Sequence, residues 1–156
     1  MLNRSADYAL RAVLYLAQRE GGGSCAANVV ARATGMPRNY LGKVLHMLVR
    51  GGVLDSERGP RGGFRLAVEP EGLTLAAVVE PFQRLPARRI CLLGNRPCDA
   101  ANPCDLHGRW QGMTDEIAGF FRETTIASML AGSAVESGTE SASASGRGGS
   151  AAGILT

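Results

Sequence analysis

The chain has 156 residues, 45% of them hydrophobic and 5% aromatic, with 17 Lys and Arg against 14 Asp and Glu and a net charge of +3. That length fits one domain with an appendage. No apolar run approaches the roughly 18–20 residues of a membrane helix, and Arg4, Asp7 and Arg11 interrupt the first turns where a secretory signal would be apolar, so a cytoplasmic protein is expected. The charge is unevenly spread. Residues 1–90 hold 13 basic against 7 acidic side chains (+6), residues 91–130 hold 3 against 5 (−2), and residues 131–156 hold 1 against 2 (−1). A basic first ninety residues suits a polyanion as partner.

From Ala6 to Gln18 the chain reads ADYALRAVLYLAQ. Tyr8, Ala9, Ala12, Val13, Leu16 and Ala17 recur at helical spacing, which predicts a helix buried on most of its surface. The glycines at 21–23 end it. Ser24 is the expected cap of a short second helix through AANVVARAT. Gly35 ends that helix, and Pro37 is placed to open a third at its first position. The third, RNYLGKVLHMLVR, puts Leu41, Val44, Leu45, Leu48 and Val49 on one face. Two helices joined by a short glycine-containing turn are the parts of a helix-turn-helix.

Gly51 and Gly52 end the third helix. A strand from Val53 to Arg58, the turn GPRGG and a return strand FRLAV follow. A helix-turn-helix followed by a basic, glycine-rich hairpin is a winged helix, with Arg58, Arg61 and Arg65 on the wing. Thr74 caps a further short helix, LAAVVEPF, which Pro81 helps to end.

Three of the four cysteines then fall in CLLGNRPCDAANPCDLH, residues 91–107. Thiolates are the usual ligands of iron–sulfur clusters. Three thiols and an imidazole also make a tetrahedral zinc set, although the tight Cys-x-x-Cys pairs common in zinc sites are absent. Unligated redox thiols are the third reading. Cys25 stands apart and reads as a small buried residue. Trp110, Met113, Ile117, Phe120 and Phe121 next recur at spacings of 3, 4, 3 and 1, which predicts one amphipathic helix over 105–130. With little core left to cover, its apolar stripe reads as a dimerisation face; packing on the first helix is the alternative. Eighteen of the last 26 residues are Gly, Ala or Ser and none is aromatic, so residues 131–156 read as a disordered tail.

The blocks DYALRAVLYLA, MPRNYLGKVLHMLVRGGVLDSERGPRGGFRLA and LTLAAVVEPF, followed by three spaced cysteines, resemble the IscR/NsrR family of bacterial winged-helix regulators. The resemblance covers residues 1 to about 130 and is most specific at SERGPRGGFRLA. It implies a homodimer on a near-palindromic operator, with an iron–sulfur cluster, [2Fe-2S] or [4Fe-4S], controlling DNA binding. Cys91, Cys98 and Cys104 match the cluster cysteines. Six and five residues separate them, where five and five are common in the family. For the fourth ligand the resemblance offers His107, in the Cys-x-x-His position of the IscR branch, and Asp7, in the amino-terminal acidic position of the NsrR branch.

The expected architecture is therefore mainly α with a small β wing. It comprises a winged helix-turn-helix DNA-binding domain (1–85), a cysteine-rich cluster-binding loop (86–107), a dimerisation helix (105–130) and the tail (131–156). In such a domain the first residues of the second motif helix meet the major groove. That places Arg38, Asn39 and Tyr40 at base edges or flanking phosphates, with Lys43 one turn later and the wing arginines on phosphates. No Ser-His-Asp order, phosphate loop or catalytic carboxylate pair supports an enzyme. The function read from the sequence is a DNA-binding regulator, a repressor, that senses nitric oxide, redox state or iron–sulfur status. The alternatives are a constitutive winged-helix regulator with structural zinc, and a redox or metal-handling protein that does not bind DNA.

Overall fold

In the computed structural model, which describes residues 2–19, 23–59, 62–85, 91–92 and 101–139 and side chains through 132, the first helix opens directly after Asn3. The Asn3 side chain accepts from the Ala6 amide at 2.8 Å, which satisfies an N–H that the helix itself leaves open. Helix α1 spans Arg4–Ala17. Its small residues Ala6, Ala9 and Ala12 are fully buried with Val13, so neighbouring elements approach its backbone closely. α1 is the hub of the fold. It contacts α2 (Ala27–Thr34), α3 (Arg38–Arg50), the wing strand β2 (Gly63–Leu66), α4 (Leu75–Val79) and α6 (Ile126–Thr139).

The cap of α2 differs from expectation. Its N-cap is Ala26, with no side-chain hydrogen bond. Ser24 instead donates to the Glu57 carboxylate at 2.5 Å. The reason is Cys25, whose backbone pairs with Phe64 in both directions at 2.9 Å. That pairing draws residues 24–25 into extended backbone, and the helix starts after them.

Gly35 closes α2 in the left-handed region, at φ +68°, where its lack of a Cβ avoids strain. The Met36 amide then bonds back to the Ala31 carbonyl at 3.0 Å, and Met36 is buried. Pro37 occupies the N-cap of α3 rather than its first turn. Leu41, Val44, Leu45 and Leu48 form the buried face of α3.

Strand β1 (Leu54–Glu57) pairs antiparallel with β2, Leu54 opposite Leu66 and Glu57 opposite Gly63. Both strands are shorter than the sequence pattern suggested. Gly63 is required by proximity: a Cβ there would lie 2.4 Å from the Cys25 carbonyl carbon and oxygen. The amide of Gly62 bonds to the Gly59 carbonyl at 3.0 Å and closes the hairpin turn. Pro60 and Arg61 lie outside the described residues.

α4 is capped by Thr74, whose Oγ1 accepts from the Ala77 amide at 3.3 Å. The expected single helix over 105–130 is two helices, α5 (His107–Glu123) and α6. At the break, the Thr124 carbonyl accepts from the Leu75 amide at 2.9 Å, and the amides of Ile126 and Ala127 donate to the Leu73 and Pro70 carbonyls. Thr125 and Ser128 cap the new helix reciprocally, each side-chain oxygen accepting the other's amide at 3.1 Å. Backbone bonds to the 70–75 segment thus replace the intrahelical ones. α6 runs to Thr139, so the segment expected as a tail begins inside a helix; residues 140–156 lie outside the described residues.

Candidate nucleic-acid interface and cysteine segment

The three-residue turn Gly35–Pro37 joins α2 to α3 and sends the first turn of α3 outward. Arg38, Asn39 and Lys43 are exposed there, on the face opposite the buried leucines. One or two turns further, His46, Met47 and Arg50 continue the exposed face. Arg and Asn are the side chains whose donor and acceptor geometry matches guanine and adenine in the major groove.

Tyr40 behaves differently from its neighbours. Its hydroxyl shares a hydrogen bond of 2.5 Å with Ser5 Oγ, and its ring meets Tyr8 edge to face with centroids 5.5 Å apart. Both lie on α1; the sequence pattern placed Tyr8 in the apolar stripe of that helix and did not single out Ser5, and it indicated no contact of either with Tyr40. Nothing local marks those contacts, because their partner lies on another helix. Asn3 was also missed, although an Asn just ahead of an apolar helical stripe is a capping signal. Besides capping α1, Asn3 donates from Nδ2 to the Phe82 carbonyl at 2.9 Å, and its amide donates to Gln83 Oε1 at 2.6 Å.

On the wing, Arg58 is exposed at the end of β1, and Arg61 lies outside the described residues. Arg65 sits on β2 between two acids of the facing strand. Its guanidinium lies 3.3 Å from the Asp55 carboxylate and 3.3 Å from that of Glu57. The guanidinium is thus engaged across the hairpin, with all three side chains about half exposed to solvent.

Of the three clustered cysteines, Cys91 and Cys104 are described and are free thiols, while Cys98 lies outside the described residues. Cys91 is 8% exposed, and Cys104 and His107 are half-buried. The His107 amide donates to the Cys104 carbonyl at 2.9 Å, so one tight turn carries both residues into the start of α5. Asp7 lies on α1 and pairs with Arg11 at 3.0 Å, in an exposed i, i+4 ion pair. Among the described residues, no three of His, Cys, Asp and Glu converge on a metal-sized point. The donors themselves are chemically apt: free thiols and an imidazole suit iron–sulfur or zinc. Cys25 is buried beneath the wing, its sulfur 3.3 Å from the Arg19 guanidinium.

The aromatic-rich stripe on α5 divides between two faces. Thr114, Ala118 and Phe121 are buried against the rest of the chain, and Phe121 is only 4% exposed. Leu106 is 45% exposed, Met113 56% and Phe120 57%. Trp110 is half-buried beside them, whereas half-buried Ile117 packs against the core.

A family model described as Rrf2, iron-dependent transcriptional regulator, matches residues 2–132. A protein of Aquifex aeolicus (strain VF5), by name an HTH-type transcriptional regulator, is 38% identical over 125 residues, covering 79% of this chain and 86% of that one. The HTH-type transcriptional regulator IscR of Yersinia pseudotuberculosis is 25% identical over 129 residues, covering 83% of this chain and 78% of its own. Among solved structures, CymR, the global cysteine regulator of B. subtilis, superposes with a TM-score of 0.69 at 19% identity, covering 84% of this chain and 96% of that one. T. potens IscR does so with 0.67 at 21% identity, covering 94% and 93%. These structural likenesses carry the fold: a mainly helical chain with a two-stranded wing. No helix among the described residues is long and apolar enough to cross a membrane.

Proposed function

The chain belongs to the Rrf2 family of DNA-binding transcriptional regulators, which are not enzymes, and from that premise we propose that it is a homodimeric repressor whose grip on promoter DNA is set by an iron–sulfur cluster on Cys91, Cys98 and Cys104. The observation that carries this reading is the position of Cys104 and His107, one turn apart at the entry to α5. The same helix bears the outward apolar seam of Leu106, Met113 and Phe120. Whatever moves the thiols therefore acts on the element that would join two copies. In a dimer the distance between the two α3 helices must match the operator half-sites, so a small shift of α5 changes DNA affinity.

In this reading Arg38, Asn39 and Lys43 face the major groove, and Arg58 and Arg61 meet phosphates. His107 or Asp7 completes the cluster. A site with one nitrogen or oxygen ligand exchanges that ligand more readily than an all-thiolate site, which suits sensing of nitric oxide or oxidants. The three cysteines, with either His107 or Asp7, would hold the group, and it would supply the chemistry by which those small molecules are detected.

The test is purification under nitrogen, with iron, sulfide and zinc counts, a visible spectrum, and gel shifts before and after nitric oxide. A coloured preparation with iron and sulfide in equal amounts, and a shift lost on nitrosylation, is expected. Cys104→Ala removes the iron, and comparison of His107→Ala with Asp7→Ala identifies the fourth ligand. Colourless, iron-free protein that shifts DNA equally before and after nitric oxide overturns the sensor. Stoichiometric zinc in that protein establishes the structural-zinc alternative, which the same donor set suits.

A further inference from the structure

The recognition helix is fastened at its first turn. Ser5 and Tyr8 lie three residues apart on α1, hence on one face. Both reach Tyr40, one through a hydroxyl–hydroxyl bond of 2.5 Å and the other through an edge-to-face ring contact. Ser5 is held in its turn. Asn3 caps α1 two residues earlier, and its amide and side chain bind Gln83 and Phe82 just beyond α4. An unbroken series of contacts therefore runs from the end of α4, through the first turn of α1, to the first turn of α3.

A residue that reads a base or phosphate must turn its polar end toward the groove. The only polar group of the Tyr40 side chain is engaged with α1. Tyr40 remains 37% exposed, but its contacts run along the protein. Arg38, Asn39 and Lys43, on the same two turns, are exposed toward solvent.

We propose that Tyr40 is a positioning residue rather than a DNA contact: Ser5 and Tyr8 hold it, and through it they set the angle at which α3 presents Arg38, Asn39 and Lys43. This rests on the assignment of those three residues to the groove. A helix already fixed at the binding angle loses little further freedom on DNA, so the fastening contributes affinity without touching nucleic acid. It also makes no counterion-releasing contact, so its loss leaves the salt dependence of binding unchanged.

The probe is a duplex selected by the wild-type protein from a random-sequence pool. Its affinity is measured at several salt concentrations for Tyr40→Phe, Ser5→Ala, the double variant and, as a reference for a phosphate contact, Arg58→Ala. Each single hydroxyl removal is expected to weaken binding about three- to tenfold, the range of one ordinary hydrogen bond. The double variant is expected to be no weaker than either single one, because both remove the same bond. The slope of log affinity against log salt stays at the wild-type value in all three and falls in Arg58→Ala. Three results overturn the proposal: a loss in Tyr40→Phe with none in Ser5→Ala, losses that multiply in the double variant, or no loss in either single variant. A wild-type protein that selects no duplex overturns the groove assignment and this proposal with it.

Discussion

His46 of α3 meets Phe64 of β2 edge to face, with ring centroids 5.7 Å apart and planes at 77°. Phe64 also pairs its backbone with Cys25, ahead of α2. One residue of the wing thus touches α3 through its ring and the segment ahead of α2 through its main chain. The wing and the helix are fixed to one another by that arrangement.

Phe64→Leu keeps apolar bulk and removes the ring. An aromatic pair contributes about 0.5–1.5 kcal/mol beyond area burial. The variant is expected to melt a few degrees lower and to bind selected DNA more weakly, since wing and helix no longer share a rigid contact. Thermal unfolding and a binding titration check both. Unchanged melting and affinity would show that the backbone pairing with Cys25 suffices.

Two glycines should respond with opposite sign. Gly63→Ala places a methyl 2.4 Å from the Cys25 carbonyl and 2.8 Å from the Ala26 nitrogen, backbone atoms that cannot turn aside. A loss of about 1–3 kcal/mol is expected. Gly42→Ala, inside α3, meets nothing within 4 Å. It should gain about 0.5–1 kcal/mol from helix propensity. Urea unfolding of the two variants side by side measures the difference.

Arg65 and Arg58 carry the same charge in different settings. Arg65 is paired with Asp55 and Glu57 across the hairpin, whereas Arg58 is exposed at the strand end. Arg65→Ala should cost little stability, within the ~0–1 kcal/mol of exposed pairs, and lower DNA affinity less than Arg58→Ala. Only Arg58→Ala is expected to reduce the salt slope, by about one unit. Equal slopes in the two variants would place both arginines on phosphates.

The two faces of α5 make separable predictions. Phe120→Glu puts a charge into the exposed seam and should convert a dimer to monomer, seen by sedimentation, with the fold of each copy retained. Phe121→Ala empties a buried site and should cost about 3–5 kcal/mol of stability. If Phe120→Glu sediments as the wild type does, the seam is not what joins two copies.

Much of the amino-terminal half was legible from local chemistry. The apolar stripe of α3, the Gly35–Pro37 turn and the glycine-rich wing are signals read over one or two turns of chain, and the helices and hairpin stand where those signals put them. The grouping of Cys91, Cys98 and Cys104 was equally plain, since nearness in sequence is itself the observation. The aromatic stripe was visible too, but its division was not: periodicity marks an apolar face without saying which neighbour covers which residue.

By itself, then, the sequence determined the element types, the basic first ninety residues and the thiol-rich segment, because capping, periodicity and spacing act between residues close in the chain. The tertiary structure alone decided that a helical pattern breaks at Thr124, that Tyr40 turns to Ser5, and that Arg65 is held by Asp55 and Glu57. The break and the turn of Tyr40 depend on a partner brought in from far along the chain, and Arg65 meets its acids only because the hairpin registers one strand against the other. A hydrogen bond or ion pair satisfied across elements outweighs a propensity of a few tenths of a kcal/mol per residue.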